Sequence, residues 1–153
     1  MDYYFLRDDI EKLAGQIHKI NARIKAIGKE MGASCEEGAE TFHDNFAFED
    51  GERQQQMWSK RLKELLDIYN HSQIYKSSGF AERVGIGREV TLADLDTGEE
   101  KTIKIGSYMS FNGNGTVSYN APLARILLGA EPGEVRKGEI AGRLKKFEIV
   151  EIN

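Results

Sequence analysis

Two carboxylates four residues apart, Glu40 and Asp44, are the groups in this chain of 153 residues whose type and spacing could do chemistry. On a helix or a tight turn, residues at that separation lie on the same side, so the pair could share one hard divalent cation, or one cation-bound water, through oxygen ligands. Asp44 is the expected metal ligand, and Glu40 a second ligand or a base that orients water. Both belong to an acidic stretch, since Met31 to Glu52 contains Glu36, Glu37, Glu40, Asp44, Glu49, Asp50 and Glu52 and no Lys or Arg. A solvated loop, with acids favouring the start of a helix through its dipole, is the plainer account of the same residues. His43, with a reference pKa close to neutral, suits a general base or an ordinary exposed loop histidine. Cys35 and His43 together offer two candidate zinc ligands, short of the four a structural site takes. Thr41, Phe42, Asn45 and Phe46 complete this segment, and Phe42 and Phe46 are there either for turn packing or as an apolar contact for a partner.

Flanking sequence supplies the support. Ile10, Leu13, Ile17, Ile20, Ile24, Ile27 and Met31 alternate spacings of three and four, the seam of a coiled coil, and Phe48, Gly51, Gln55, Trp58, Leu62, Leu65 and Tyr69 alternate in the same way. Folded back on each other, they face as 31 with 48, 27 with 51, 24 with 55, 20 with 58, 17 with 62, 13 with 65 and 10 with 69. One register satisfies both stripes, which predicts an antiparallel helical hairpin with its tip at 32–44. The first helix is expected to begin between Leu6 and Asp9, where Asp8 and Asp9 suit the dipole, and to stop at Gly32 after Met31. The second starts between Thr41 and Asn45, which can cap it, and runs to about Ser72. Gly51 and Gln55 weaken the seam near the tip, so the hairpin should be firmest at its base.

Charge is unevenly distributed. Residues 1–75 hold 14 Asp/Glu against 10 Lys/Arg, whereas residues 76–153 are balanced at 11 and 11. Lys12, Lys19, Arg23, Lys25, Lys29, Lys60, Arg61 and Lys63 lie along the shaft, and a basic shaft with an acidic end is not how a simple nucleic-acid binder is charged. No run approaches the roughly 20 apolar residues of a membrane span, and Met1 to Asp9 lacks the apolar core of a secretory signal. Cys35 is the single cysteine, in keeping with a reducing compartment, and a cytoplasmic location is expected.

Beyond residues 76–83, a linker rich in small residues, the periodicity changes to two. Val90 and Leu92, Thr102 to Ile105, Thr116 to Tyr119, Val135 to Ile140 and Leu144 to Ile152 read as strands. Asp96-Thr97-Gly98 and Glu131-Pro132-Gly133 read as turns, as do Gly113 and Gly115. Asn120-Ala121-Pro122 opens a short helix that Gly129 closes. The expected class is therefore α+β: a coiled-coil hairpin over 1–75 and a small, mostly antiparallel domain over 84–153.

The hairpin followed by Leu92 to Glu100, then by Val117 to Arg125 with Leu127-Leu128-Gly129, resembles the GreA/GreB transcript-cleavage factors over essentially the whole chain. The resemblance implies a C-terminal FKBP-like domain that docks on bacterial RNA polymerase, and a coiled coil that passes down the secondary channel toward the active site. The segment with Asn120, Ala121, Pro122, Leu123 and Arg125 is the expected docking element, though it also reads as a plain helix-capping turn. At the tip the family places an Asp, a Glu three residues later, then Asn and an aromatic. Here Asp44, Asn45 and Phe48 fill the later positions and Thr41 stands where the earlier Asp would be, with Glu40 beside it. The implied cofactor is Mg2+ shared with the polymerase active site, not expected to be bound by the isolated protein. The implied partners are the polymerase and the RNA 3′ end, with no membrane and no small-molecule substrate. The basic shaft residues would guide that RNA, or be merely solvated.

The expected function is an elongation factor, itself not an enzyme, that stimulates the polymerase's intrinsic cleavage of backtracked RNA. Thr41 and the surplus acids leave open a secondary-channel regulator or inhibitor that does not support cleavage. A prolyl isomerase or chaperone would need an aromatic-lined pocket, for which Tyr108, Phe111, Tyr119 and Phe147 are candidates without clustering in sequence.

Overall fold

The computed structural model describes residues 1–37, 46–77, 82–111 and 113–153. They form two compact units, Glu11–His71 and Met1–Ile10 together with Ser72–Asn153. Residues 1–10 and 72–75, expected in the hairpin, therefore group with the sheet.

The helical unit consists of α1 (Arg7–Glu37) and α2 (Phe46–Asn70). Asp8 and Asp9 sit in the first turn of α1, where acids complement the helix dipole. Gly32 does not end α1, which continues to Glu37 into the expected tip. An exposed glycine inside a helix costs only about 1 kcal/mol, too little to stop a helix already propagating. At its other end α2 stops at Asn70, short of Ser72, because Ser72 is taken into a strand.

The seam keeps the expected register. Gln55 Nε2 donates to the Ile24 carbonyl at 3.5 Å, and Gly51 lies against Met31 and Ile27. A Cβ at Gly51 would collide with Met31 Cγ, so the glycine is what lets the thioether cross beneath α2. Leu13, Ile20, Ile27 and Leu65 are buried along the stripe. Tyr69 departs from it: it is 42% exposed, and Ile68 is half-buried instead.

The second unit begins with β1 (Tyr3–Phe5), which pairs in parallel with β2 (Ser72–Ile74). It continues with β3 (Glu89–Asp94), β4 (Glu100–Gly106), β5 (Thr116–Ser118), α3 (Pro122–Leu127), β6 (Val135–Ile140) and β7 (Arg143–Ile152). The five-stranded sheet has the order β5-β4-β3-β7-β6, antiparallel except for β4 with β5. This is the expected α+β class.

Alternation places Val90 and Leu92 of β3, Ile103 and Ile105 of β4, and Phe147 and Ile149 of β7 in one core with Ala124 and Leu127 of α3. Ile152 joins them although it is three residues from Ile149, an odd step that would turn it to the other face. The register shift between Thr91 and Leu92 skips Val150 and restores it to the core.

The β3–β4 connection is an Asx turn. Asp94 Oδ1 accepts from the Asp96 amide at 2.9 Å and from the Thr97 amide at 3.4 Å. The Asp96 amide, followed by Thr97 and Lys145, holds the Asp94 carboxyl below its ordinary 3.8 against the opposing effect of burial. Its contribution to stability is thus present above that value and lost as pH falls through the lowered one.

Between β6 and β7 the two-residue turn Ala141-Gly142 has φ of 53° and 77°. A primed turn requires both, and alanine tolerates the first poorly. Ala141→Asn should therefore stabilise the protein by roughly 0.5–1 kcal/mol, seen as a raised urea midpoint at constant slope; an unchanged or lower midpoint would contradict this. In the hairpin, Gln55→Leu should complete the apolar stripe. Amide exchange should then slow across residues 24–31 and 47–55 but not across 13–20, and uniform slowing would refute a seam weakest near its tip.

Candidate functional site

Glu40, Thr41, Phe42, His43, Asp44 and Asn45 all lie outside the described residues, between the end of α1 and the start of α2. Phe46, the first residue of α2, is 70% exposed, so of its two expected roles it has the exposed one. The Arg53 guanidinium lies 5.7 Å from its ring centre, and Asp50 Oδ1 is 3.9 Å from Arg53 Nη2. Asp50 also accepts from Gln54 Nε2 at 2.8 Å. A cation and its counter-ion thus follow Phe46 along α2. Among the described residues there is no group of three or more His, Cys, Asp or Glu side chains able to hold a metal ion.

The shaft cations divide between contacts and solvent. Arg23 stacks over Trp58 at 5.6 Å, tying the basic face to the seam, and Arg61 pairs with Glu64 at 3.4 Å. Lys19, Lys25, Lys29, Lys60 and Lys63 are exposed.

The expected docking segment is well ordered by its own hydrogen bonds. Ser118 Oγ donates to the Tyr108 carbonyl at 3.0 Å and accepts from the Asn120 amide at 3.3 Å. The Ala121 amide donates to the Ser118 carbonyl, and Arg125 Nη2 donates to Asn120 Oδ1. Ala121 is the N-cap of α3, extended at φ −68° and ψ 149°, with Pro122 in the first turn, where a missing N–H costs nothing. Pro122 and Arg125 face outward, while Ala124 and Leu127 are buried. Helix α3 lies so close to β6 that a Cβ at Gly138 would fall 2.6 Å from Ile126 Cγ1. A groove results, lined by Pro122, Arg125, Ile126, Arg136, Lys137 and Glu139. Arg136 is paired at 3.4 Å with Glu134, whose carboxyl is held below its ordinary range by the Glu131 amide and then by Arg136 and Arg83.

An aromatic cluster absent from the sequence reading lies beside this segment. Tyr3 and Tyr108 have ring centres 4.4 Å apart, Tyr4 and Tyr119 6.0 Å, Phe5 and Tyr108 6.5 Å, and Tyr108 and Tyr119 6.4 Å. Strand β1 thus supplies the clustering that Tyr108 and Tyr119 lack by themselves. The backbone fixes the arrangement: the Tyr108 amide donates to the Tyr4 carbonyl at 3.0 Å, and the Tyr4 amide donates to the Tyr119 hydroxyl at 3.2 Å. Ser107 completes it, accepting from the Leu6 amide at 2.8 Å and donating to Asp9 Oδ2 at 2.6 Å, with Asp9 and Ser107 both buried. The Tyr3-Tyr4-Phe5 run was the available signal, since aromatics favour strands.

Among the described residues no helix is long and apolar enough to cross a membrane. Ser107→Ala would strand the buried Asp9 carboxylate and the half-buried Leu6 amide at once, and loss of about 2–3 kcal/mol of stability is expected from denaturant unfolding; a loss below about 0.5 kcal/mol would show that these bonds do not hold β1.

The chain thus combines a pair of long helices with a mostly antiparallel sheet that carries one short helix. Residues 80–153 match the model of the transcription elongation factor GreA/GreB C-terminal region. The chain is 27% identical over 152 residues to transcription elongation factor GreA of Thermotoga neapolitana, covering 98% of this chain and 92% of that one. It is 29% identical over 152 residues to GreA of a Sulfurovum species, covering 98% and 89%. Among solved structures, GreA factor homolog 1 of Thermus thermophilus aligns with a TM-score of 0.44 at 22% identity, over 100% of this chain and 99% of that one. Residues 80–153 thus form a GreA/GreB C-terminal domain, and the whole chain is similar to GreA transcription elongation factors.

Proposed function

We propose that this chain binds bacterial RNA polymerase, inserts its helical hairpin into the secondary channel and stimulates the polymerase's own cleavage of backtracked RNA. The observation that carries the reading is the match of residues 80–153 to the GreA/GreB C-terminal model, combined with a seam in antiparallel register between the helices on either side of 38–45 in the sequence. The chain's part is to bind, to orient and to deliver carboxylates, and the catalytic centre is the polymerase's.

Asp44 and Glu40 carry the chemistry in this reading. Their oxygens suit Mg2+, a hard cation. When bound at the polymerase active site, Mg2+ activates water and stabilises the leaving oxygen of a phosphodiester. Asp44 would add a ligand oxygen to that ion, and Glu40 would add a second or orient the water. Docking falls to Asn120, Ala121, Pro122, Leu123 and Arg125, and the RNA 3′ end passes along the basic shaft.

Thr41 favours a second reading, because it replaces one of the two acids that the family resemblance implies at the tip. In that reading the same rod enters the channel and regulates or inhibits elongation without supporting cleavage. Stalled elongation complexes incubated with wild type, Asp44→Ala and Glu40→Ala separate the two. The first reading expects RNA cleavage by wild type, a fall of about 100-fold for Asp44→Ala and a smaller fall for Glu40→Ala, with polymerase binding retained. Absence of stimulation by wild type, together with slowed elongation, would replace it by the second.

A further inference from the structure

We infer that the polymerase-docking surface extends past the Asn120–Arg125 segment onto Tyr119 and onto Tyr4, a residue from the opposite end of the sequence. The partner it fits is a segment of RNA polymerase that presents an apolar side chain to the two tyrosines and a carboxylate to Arg125. This rests on the docking role proposed above for α3 and its preceding turn.

Three observations carry it. The first is continuity: the Tyr4 ring meets the Tyr119 ring edge-on at 6.0 Å, Tyr119 precedes Asn120, and Asn120 Oδ1 holds the Arg125 guanidinium. Tyr4, Asn120 and Arg125 therefore belong to one surface although 121 residues separate its ends. The second is exposure without structural need. The Tyr4 backbone makes the strand's bonds, to Tyr108 and to the Tyr119 hydroxyl, while its side chain stays 39% exposed. In the same strand Phe5 is fully buried, so β1 already has its anchor. A tyrosine held by its backbone, with its ring turned outward against a second ring, is pre-organised for contact. Tyrosine and arginine are also the side chains enriched at the energetic centres of interfaces.

The third observation is charge. The adjoining groove has Arg125, Arg136 and Lys137 against Glu139, and Glu134 engages Arg136, which leaves a positive excess around Arg125. An acidic group on the partner complements it.

The experiment measures binding of the full-length chain, labelled at its surface, to purified RNA polymerase core enzyme by fluorescence anisotropy over a series of salt concentrations. Tyr4→Ala should weaken binding at least tenfold while the melting temperature stays within a few degrees of wild type. Tyr4→Phe should bind as wild type does, since the ring is retained. Arg125→Ala should weaken binding and flatten its salt dependence. If Arg125→Ala weakens binding and a folded Tyr4→Ala does not, the extension to Tyr4 is overturned and the docking role of α3 stands. If Tyr4→Ala melts well below wild type, Tyr4→Lys, which retains a long side chain, replaces it; wild-type affinity for that variant likewise overturns the extension. No measurable binding by wild type would overturn the docking role itself, and the inference with it.

Discussion

Antiparallel pairing of two helices in a single register is the constraint on which this molecule depends. Most of the stability of a helix in a protein comes from packing its apolar face, and neither stripe could be buried without the other. The pairing is specific because its members are not interchangeable. Met31 fits only beneath a residue that has no side chain, which is Gly51, and Gln55 finds its acceptor at Ile24. A slip by one turn would set Met31 against a larger residue and strand the Gln55 amide. The polar and glycine positions weaken the seam, yet they are also what fix its alignment.

Hydrophobic alternation alone determines most of the sheet, and one irregularity makes the alternation consistent. Without the bulge opposite Thr91 and Leu92, β7 could not place Phe147, Ile149 and Ile152 in the same core. The other determinant is β1, which is too short to be stable by itself and is held from several sides by Ser107, Tyr108, Tyr119 and Tyr75. These bonds tie the first residues of the chain to a domain whose remainder begins at Ser72.

The long-period features were legible in the sequence. Both helices, the seam register, all five strands of the larger sheet to within a residue or two and the short Pro122 helix followed from spacing and turn residues. What escaped was structure whose cause is non-local. Strands β1 and β2 are three residues each and pair across nearly seventy positions, so neither shows periodicity, and the region around them read as helix start and linker. Gly32 read as a stop because its intrinsic preference is visible and the cooperativity that overrides it is not. The tyrosine cluster escaped for the same reason as β1. Of the candidate site, the Asn120–Arg125 turn and helix took the expected form, Phe46 proved exposed, and the Glu40 and Asp44 geometry lies outside the described residues.

In the proposed function the catalytic centre is the polymerase's, so the chain's part is to hold groups in place for it. The seam aligns α1 with α2, and the Ser118 and Asn120 hydrogen bonds fix the start of α3. The most direct measurement is cross-linking across the seam. In a Cys35→Ser background, Ile24→Cys with Gln55→Cys should form an intramolecular disulfide on mild oxidation, at a yield independent of protein concentration. Ile24→Cys with Leu62→Cys, two turns out of register, should not. Equal yields for both pairs, or a disulfide found only between molecules, would contradict the register from which everything else follows.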